Sequence, residues 1–210
     1  MVDLTGSPVP DVDFGFSANV ITNVNDSGQG SLRQFITNSN AIAGANTMKF
    51  VPSVPKNSAN WWRITLASVL PNIADSLTTI NGIAYYFDGA IRDANGGSVG
   101  SGGMSLETGS DGVVGTSDEP ILTSFNKKEL EIDINHNAFY GLNVSQNGIS
   151  NITNKNIAIF GSKDKTATSD ESSDILVSDG ANNIDISYNF VGLRADGSTP
   201  STKQSLMVSR

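Results

Sequence analysis

One short pattern occurs three times between Leu130 and Gly192, and it restricts the fold more than any other feature of the chain. The copies are Leu130-Glu131-Ile132-Asp133-Ile134-Asn135, Asn156-Ile157-Ala158-Ile159-Phe160-Gly161 and Asn183-Ile184-Asp185-Ile186-Ser187-Tyr188-Asn189. In each, two branched apolar residues sit two apart with a small or acidic residue between them. That is the alternation of a strand with one face buried and one wet. Ile132 to Ile157 is 25 positions and Ile157 to Ile184 is 27. A near-constant period of this size points to stacked units, each unable to bury its apolar face alone. A second alternating strand lies between the copies, first as Leu142-Asn143-Val144 and then as Ile175-Leu176-Val177. The polar run from Lys163 to Asp174 reads as a corner insertion that lengthens the second interval.

Two or more strands per unit, no helical periodicity and an Asn/Gly/Ser corner after each strand predict a parallel β-helix with Ile, Leu and Val in a dry column. Asn135, Asn137, Asn156, Asn183 and Asn189 flank the strands. Asn tolerates the left-handed backbone of a sharp corner, and its side chain can hydrogen-bond from one turn to the next. The competing arrangement is an antiparallel sandwich whose hairpins are similar in length.

With 210 residues the chain can bury a sizeable core. Its formal net charge of −8 argues against a general nucleic-acid surface or an anionic membrane surface, both of which select clustered Lys and Arg. It has no cysteine, hence no disulfide framework, which leaves the compartment open. No apolar run approaches a membrane span and no signal peptide is visible. The two ends read as a segment cut from a longer chain, truncated within its C-terminal array.

Residues 1–17 are expected to be a Pro- and Gly-punctuated lead-in, and 18–210 one domain: a cap over 18–50, an irregular loop region over 88–120 and regular coils over 121–210. Within the cap, Ala18 to Val24 reads as a strand, Asn25 to Gly28 as a turn, and Ser31 to Ala43 as the one helix. Ser31 is a good N-cap, and Gln34, three residues on, would complete a capping box. Leu32, Phe35, Ile36, Ile42 and Ala43 can share a face, and Gly44 suits the left-handed C-terminal position. Ser31 to Ile36 would then close the first turn, whose apolar cross-section needs a lid. An ordinary surface helix is the alternative. Arg33 is assigned to the cap, bonded to carbonyls left unpaired there, rather than to a functional site.

The stretch from Val24 to Ile36, with Asp26-Ser27-Gly28-Gln29-Gly30-Ser31-Leu32-Arg33 at its centre, resembles the N-terminal segment of secreted right-handed parallel β-helix proteins. In those proteins a D-S-G-x-G-S-L-R-x-A-I helix precedes an N-x-x-x-G-x-D-T-I-x-F strand, here Asn40 to Phe50. Arg63-Ile64-Thr65-Leu66 with Leu70-Pro71, Leu77 to Gly82, and Ser187 to Gly197 resemble further steps of the same group. This chain departs from the pattern at Phe35, Asn46 and Met48. The resemblance covers roughly 20–82 and 130–200 and is similar to bacterial adhesins and to polymorphic outer-membrane-type passenger domains. It implies an all-β, right-handed parallel β-helix (solenoid) with a short N-terminal capping α-helix, at the cell surface or secreted.

Candidate chemistry is sparse. Trp61 and Trp62 could form an aromatic platform for sugar or protein, with at most one of them buried if they lie in a strand. Asp111, Asp118 and Glu119 could supply oxygens to Ca²⁺, as could Asp170, Glu171 and Asp174, but neither group follows a calcium-loop spacing. No other cofactor is indicated. Asp133 and Asp185 would face outward two turns apart, roughly 9–10 Å by strand spacing, as a glycosidase pair would. Ala158 lies between them, and no basic partner accompanies them. His136 is the one histidine, which excludes a multi-histidine metal site. The glycines near Gly96 lack a phosphate-loop context.

These features together predict a structural or adhesive module of a large bacterial surface protein. It would present loops 88–120 and 162–174 to a carbohydrate or an extracellular protein, with no nucleic-acid partner. One alternative is a self-assembling filament or matrix subunit joined through coil ends. The other is a polysaccharide lyase or glycoside hydrolase.

Overall fold

The computed structural model describes residues 17–92, 127–163 and 172–200. Twelve strands and one helix follow in chain order: β1 (Val20–Ile21), α1 (Leu32–Ala41), β2 (Asn46–Thr47), β3 (Lys49–Phe50), β4 (Trp62–Thr65), β5 (Thr78–Asn81), β6 (Leu130–Asp133), β7 (Tyr140–Ser145), β8 (Ser150–Lys155), β9 (Ile157–Phe160), β10 (Ser173–Ser178), β11 (Asn182–Ser187) and β12 (Phe190–Val191). All ladders between these strands are parallel. They make two four-stranded sheets, ordered β11-β8-β5-β2 and β12-β9-β6-β4, and two two-stranded sheets, β1-β3 and β10-β7.

The right-handed parallel β-helix expected from the repeat is corrected here. The strands divide among four small sheets that do not close, and the interval between paired strands is far from constant. In the β12-β9-β6-β4 sheet Trp62 stands opposite Leu130, Leu130 opposite Ile157, and Ala158 opposite Phe190. The first of these steps spans more than twice as much chain as either of the others. The first two copies of the repeat do become neighbours as β6 and β9. Their register is Ile132 to Ile159 rather than Ile132 to Ile157, a slip of two that keeps the same face inward. The third copy, β11, joins a different sheet and pairs with β8, a strand too polar (Ser-Asn-Ile-Thr-Asn-Lys) to stand out in the sequence. Ile175 and Val177 lie opposite Leu142 and Val144, the pairing suggested by their shared alternation.

The expected wet face is also absent from part of the array. Along β6 the first three residues are buried, and along β9 all four. One face of this sheet carries Ile64, Leu130, Ile132, Ile157 and Ile159 into the main core, which runs from α1 to Ile175. The other face is covered by a second cluster of Trp61, Ala158, Phe190 and Ala195, with Leu193 packed against it. A strand between two packed layers loses its polar/apolar alternation, which is why Ala158 and Phe160 carry no charge. Glu131, fully buried on that side, is held by Arg63 and by the Ala195 N–H at 2.8 Å.

The corners use asparagine as expected at several positions. Asn135, Asn156 and Asn183 have left-handed φ angles between 52° and 58°, Asn137 and Asn189 do not, and Asn151, which was not anticipated, has φ 60°. Asn156 donates to Asn81 at 2.9 Å and Asn183 to Asn151, so amide side chains do link successive strands.

α1 starts where the sequence signals it. The Ser31 hydroxyl accepts from the Gln34 N–H at 3.2 Å and donates to the Gly28 carbonyl at 2.7 Å. The capping box is only half formed, because the Gln34 amide donates forward to Asn38 at 2.7 Å instead of back to the N-cap. The helix stops at Ala41, and Ile42 and Ala43 are exposed rather than on the buried face. Leu32, Phe35 and Ile36 reach the core.

Candidate functional site: a cleft beside the N-terminal helix

Arg33 lies on α1 and uses its guanidinium to tie three segments together. It pairs with the Asp26 carboxylate at 2.7 Å and donates to the carbonyls of Asp26 (2.9 Å), Ser68 (2.9 Å) and Val69. This saturation leaves little for a ligand.

Trp61 and Trp62 form no surface platform, since they are only 4% and 1% exposed. Their side chains point to opposite faces as strand neighbours must, but both faces are covered. Trp62 packs edge-on against Phe50 at 5.6 Å and donates its indole N–H to the Val54 carbonyl at 2.9 Å. Trp61 belongs to the second cluster.

Asp133 and Asp185 stand in different sheets. Asp133 ends β6 and accepts from the Asn135 N–H at 2.9 Å, a turn bond, whereas Asp185 is on β11 in the other four-stranded sheet. The two therefore do not belong to one ladder. Asp111, Asp118, Glu119, Asp170 and Glu171 lie outside the described residues, as does most of the 88–120 region. Asp174 is buried and accepts from the Ser162 N–H at 3.1 Å. Among the described residues, no group of three or more His, Asp or Glu could hold a metal ion. His136 occupies a left-handed corner with Nδ1 against the Ser162 carbonyl at 3.2 Å.

The strongest candidate site was not anticipated. After β5 the chain forms a hairpin between Ala84 and Arg92, in which Tyr85 bridges Ile91 in antiparallel fashion. The Tyr86 N–H donates to the Ala90 carbonyl at 2.8 Å, and Gly89, with φ +88°, donates back to the Tyr86 carbonyl at 2.9 Å. Glycine supplies the positive φ that this turn demands. The aromatic run ending in Asp88-Gly89 is a hairpin signal, masked in the sequence by its position at the start of the Gly-rich region.

Arg92 braces the hairpin. Its guanidinium lies 4.9 Å from the Trp62 ring and 5.2 Å from the Tyr86 ring, and donates to the Pro52 carbonyl at 3.1 Å. A delocalised cation between two ring faces is a favourable arrangement. Phe87, at the tip, is left 85% exposed. It forms part of the wall of a cleft of about 910 Å³ between the hairpin, β1, β3 and α1. Phe35 and Val51 supply apolar lining; Gln29, Gln34 and Asn38 supply amides; and among the described residues Lys49 is the one charged lining residue. The Lys49 ammonium lies 5.6 Å from the centre of the Tyr85 ring.

A perturbed cation lies apart from the cleft. Lys128 is almost fully buried beside the second cluster, with its ammonium 4.6 Å from the centre of the Phe190 ring. Burial lowers its pKa from 10.5 to about 8.

Among the described residues no helix is long and apolar enough to cross a membrane. No protein-family model matches this chain, and no solved structure matches it.

Proposed function

We propose that this chain is a structural and adhesive module of a larger secreted or cell-surface bacterial protein, and that it engages a carbohydrate or an extracellular protein through the cleft beside α1. The observation that carries this reading is Phe87, 85% exposed at the tip of a braced hairpin and lining the cleft. A large apolar ring held in water costs solvation free energy unless a partner covers it. Held on a fixed hairpin, it also loses little entropy on binding. Glycan-array and matrix-protein screens of the wild-type chain and of Phe87→Ala test the reading. Binding that the substitution abolishes supports it, and binding that survives unchanged moves the site elsewhere.

A second reading is self-assembly. Among the described residues, the ladders of β10, β11 and β12 each run to one neighbouring strand, and Val177, Ile184, Ile186 and Val191 on these strands are only partly buried. Unpaired strand edges next to apolar side chains invite a second chain. Light scattering over a wide concentration range decides it: growth in mass supports assembly, and a constant monomer mass removes it.

A further inference from the structure

We infer that the cleft beside α1 selects an acidic sugar, with Lys49 receiving the carboxylate and the exposed ring of Phe87 receiving a face of the sugar ring. The inference rests on the reading of this cleft as the binding site and specifies its ligand. Three observations lead to it. The first is charge. The whole chain carries a net −8, yet among the described residues the cleft lining contains one lysine and no carboxylate. The nearest acid on the hairpin, Asp88, is occupied in accepting from the Ala90 N–H at 2.9 Å. Among the described residues Lys49 forms no ion pair, and its ammonium is placed by the Tyr85 ring. Lys49 is exposed, and an ammonium held beside an aromatic ring loses less side-chain freedom on meeting an anion than an untethered one.

The second observation is the polar wall. Gln34 and Asn38 are one helical turn apart and therefore share a face of α1. They hydrogen-bond each other at 2.7 Å, and Gln29 stands at the same wall. A linked pair of amides presents remaining donor and acceptor positions side by side, which matches neighbouring hydroxyls that both give and take hydrogen bonds. The third is Phe87, whose flat apolar surface suits the C–H face of a pyranose and is sterically free to receive it. Cation, amide wall and exposed ring suit a ring-shaped, hydroxylated anion better than a hydrocarbon or a polycation.

The test is calorimetric titration of the full chain with trigalacturonic acid and, in parallel, with the neutral trigalactose. The acidic trisaccharide should bind, and Lys49→Gln should weaken it by about tenfold, the effect of removing one charge-assisted contact. Lys49→Arg should restore most of the affinity. Raising salt should weaken the acidic ligand and leave the neutral one unchanged. Phe87→Ala should weaken both. Equal binding of both sugars, insensitive to Lys49→Gln but lost in Phe87→Ala, overturns the acid preference and keeps the cleft. Binding of neither sugar, with a matrix protein still held in a Phe87-dependent way, overturns the sugar assignment and also keeps the cleft. Glycan binding unchanged by every cleft substitution removes the site itself.

Discussion

Lys128 and Asn154 are both polar side chains placed among apolar ones, and each has a measurable consequence. Burial lowers Lys128 from 10.5 to about 8. The unfolded chain therefore holds one more proton than the folded chain between pH 8 and 10.5, and stability should rise with pH across that window. Below pH 8 both states are charged and the penalty is constant. The rise should amount to no more than about 3 kcal/mol, and Lys128→Met, which keeps the stem beside Phe190, should flatten it in urea titrations at several pH values. Asn154 lies in β8 between Ile80 and Ile186 in register and is fully buried, and neither atom of its side-chain amide has a hydrogen-bond partner. Asn154→Leu should stabilise the protein by about 1–2 kcal/mol, because an unsatisfied buried amide is replaced by hydrocarbon; an unchanged or lower urea midpoint would contradict this. At this scale the sequence was partly legible. The corner asparagines and the N-cap could be read because local backbone geometry demands them. The burial of both tryptophans could not, because Trp62 is covered within the main core while Trp61 depends on Leu193 and Ala195, far along the chain, folding over the second face.

Elements were legible where their signal is local. The helix N-terminus and the Ile-rich strands β6 and β9 follow from spacing alone. β8 did not, because its stability comes from lying between β5 and β11 rather than from its own side chains. The half-formed capping box yields an asymmetric expectation. Ser31→Ala should cost about 1 kcal/mol by freeing the Gln34 N–H. Gln34→Ala should cost a few tenths at most, since its side chain forms an exchangeable pair with Asn38 rather than a cap. Urea denaturation of both variants checks this; equal losses would mean that the box closes in solution. The near-constant repeat in sequence had suggested one uniform stack, but successive intervals of unequal length send the third copy to another sheet. Periodicity identifies strands well and their partners less well, because the partner depends on the length of chain between them.

At the scale of the molecule, all strand pairs join segments that are distant in sequence. β4 meets β6 directly, Trp62 opposite Leu130, and β5 meets β8, Thr79 opposite Thr153, although the chain between each pair includes other strands or a long intervening segment. Closing such intervals before any contact rewards them makes folding slow. The same wiring has a mechanical meaning. The chain runs from Ala158 to its partner Phe190, and from Ile152 to its partner Ile184, over equal lengths, and each pair of strands is held by a single short row of hydrogen bonds. Tension drawn through the two chain ends would load these rows across their hydrogen bonds and part them one after another, like a zipper rather than a clamp. Each parted row would release the chain between its partners, roughly 110 Å of contour at full extension. An optical-tweezers trace should therefore show low-force steps of that length, and one abrupt high-force rupture would show that the rows share the load. A chain wired this way would lengthen under load by stages instead of failing at once.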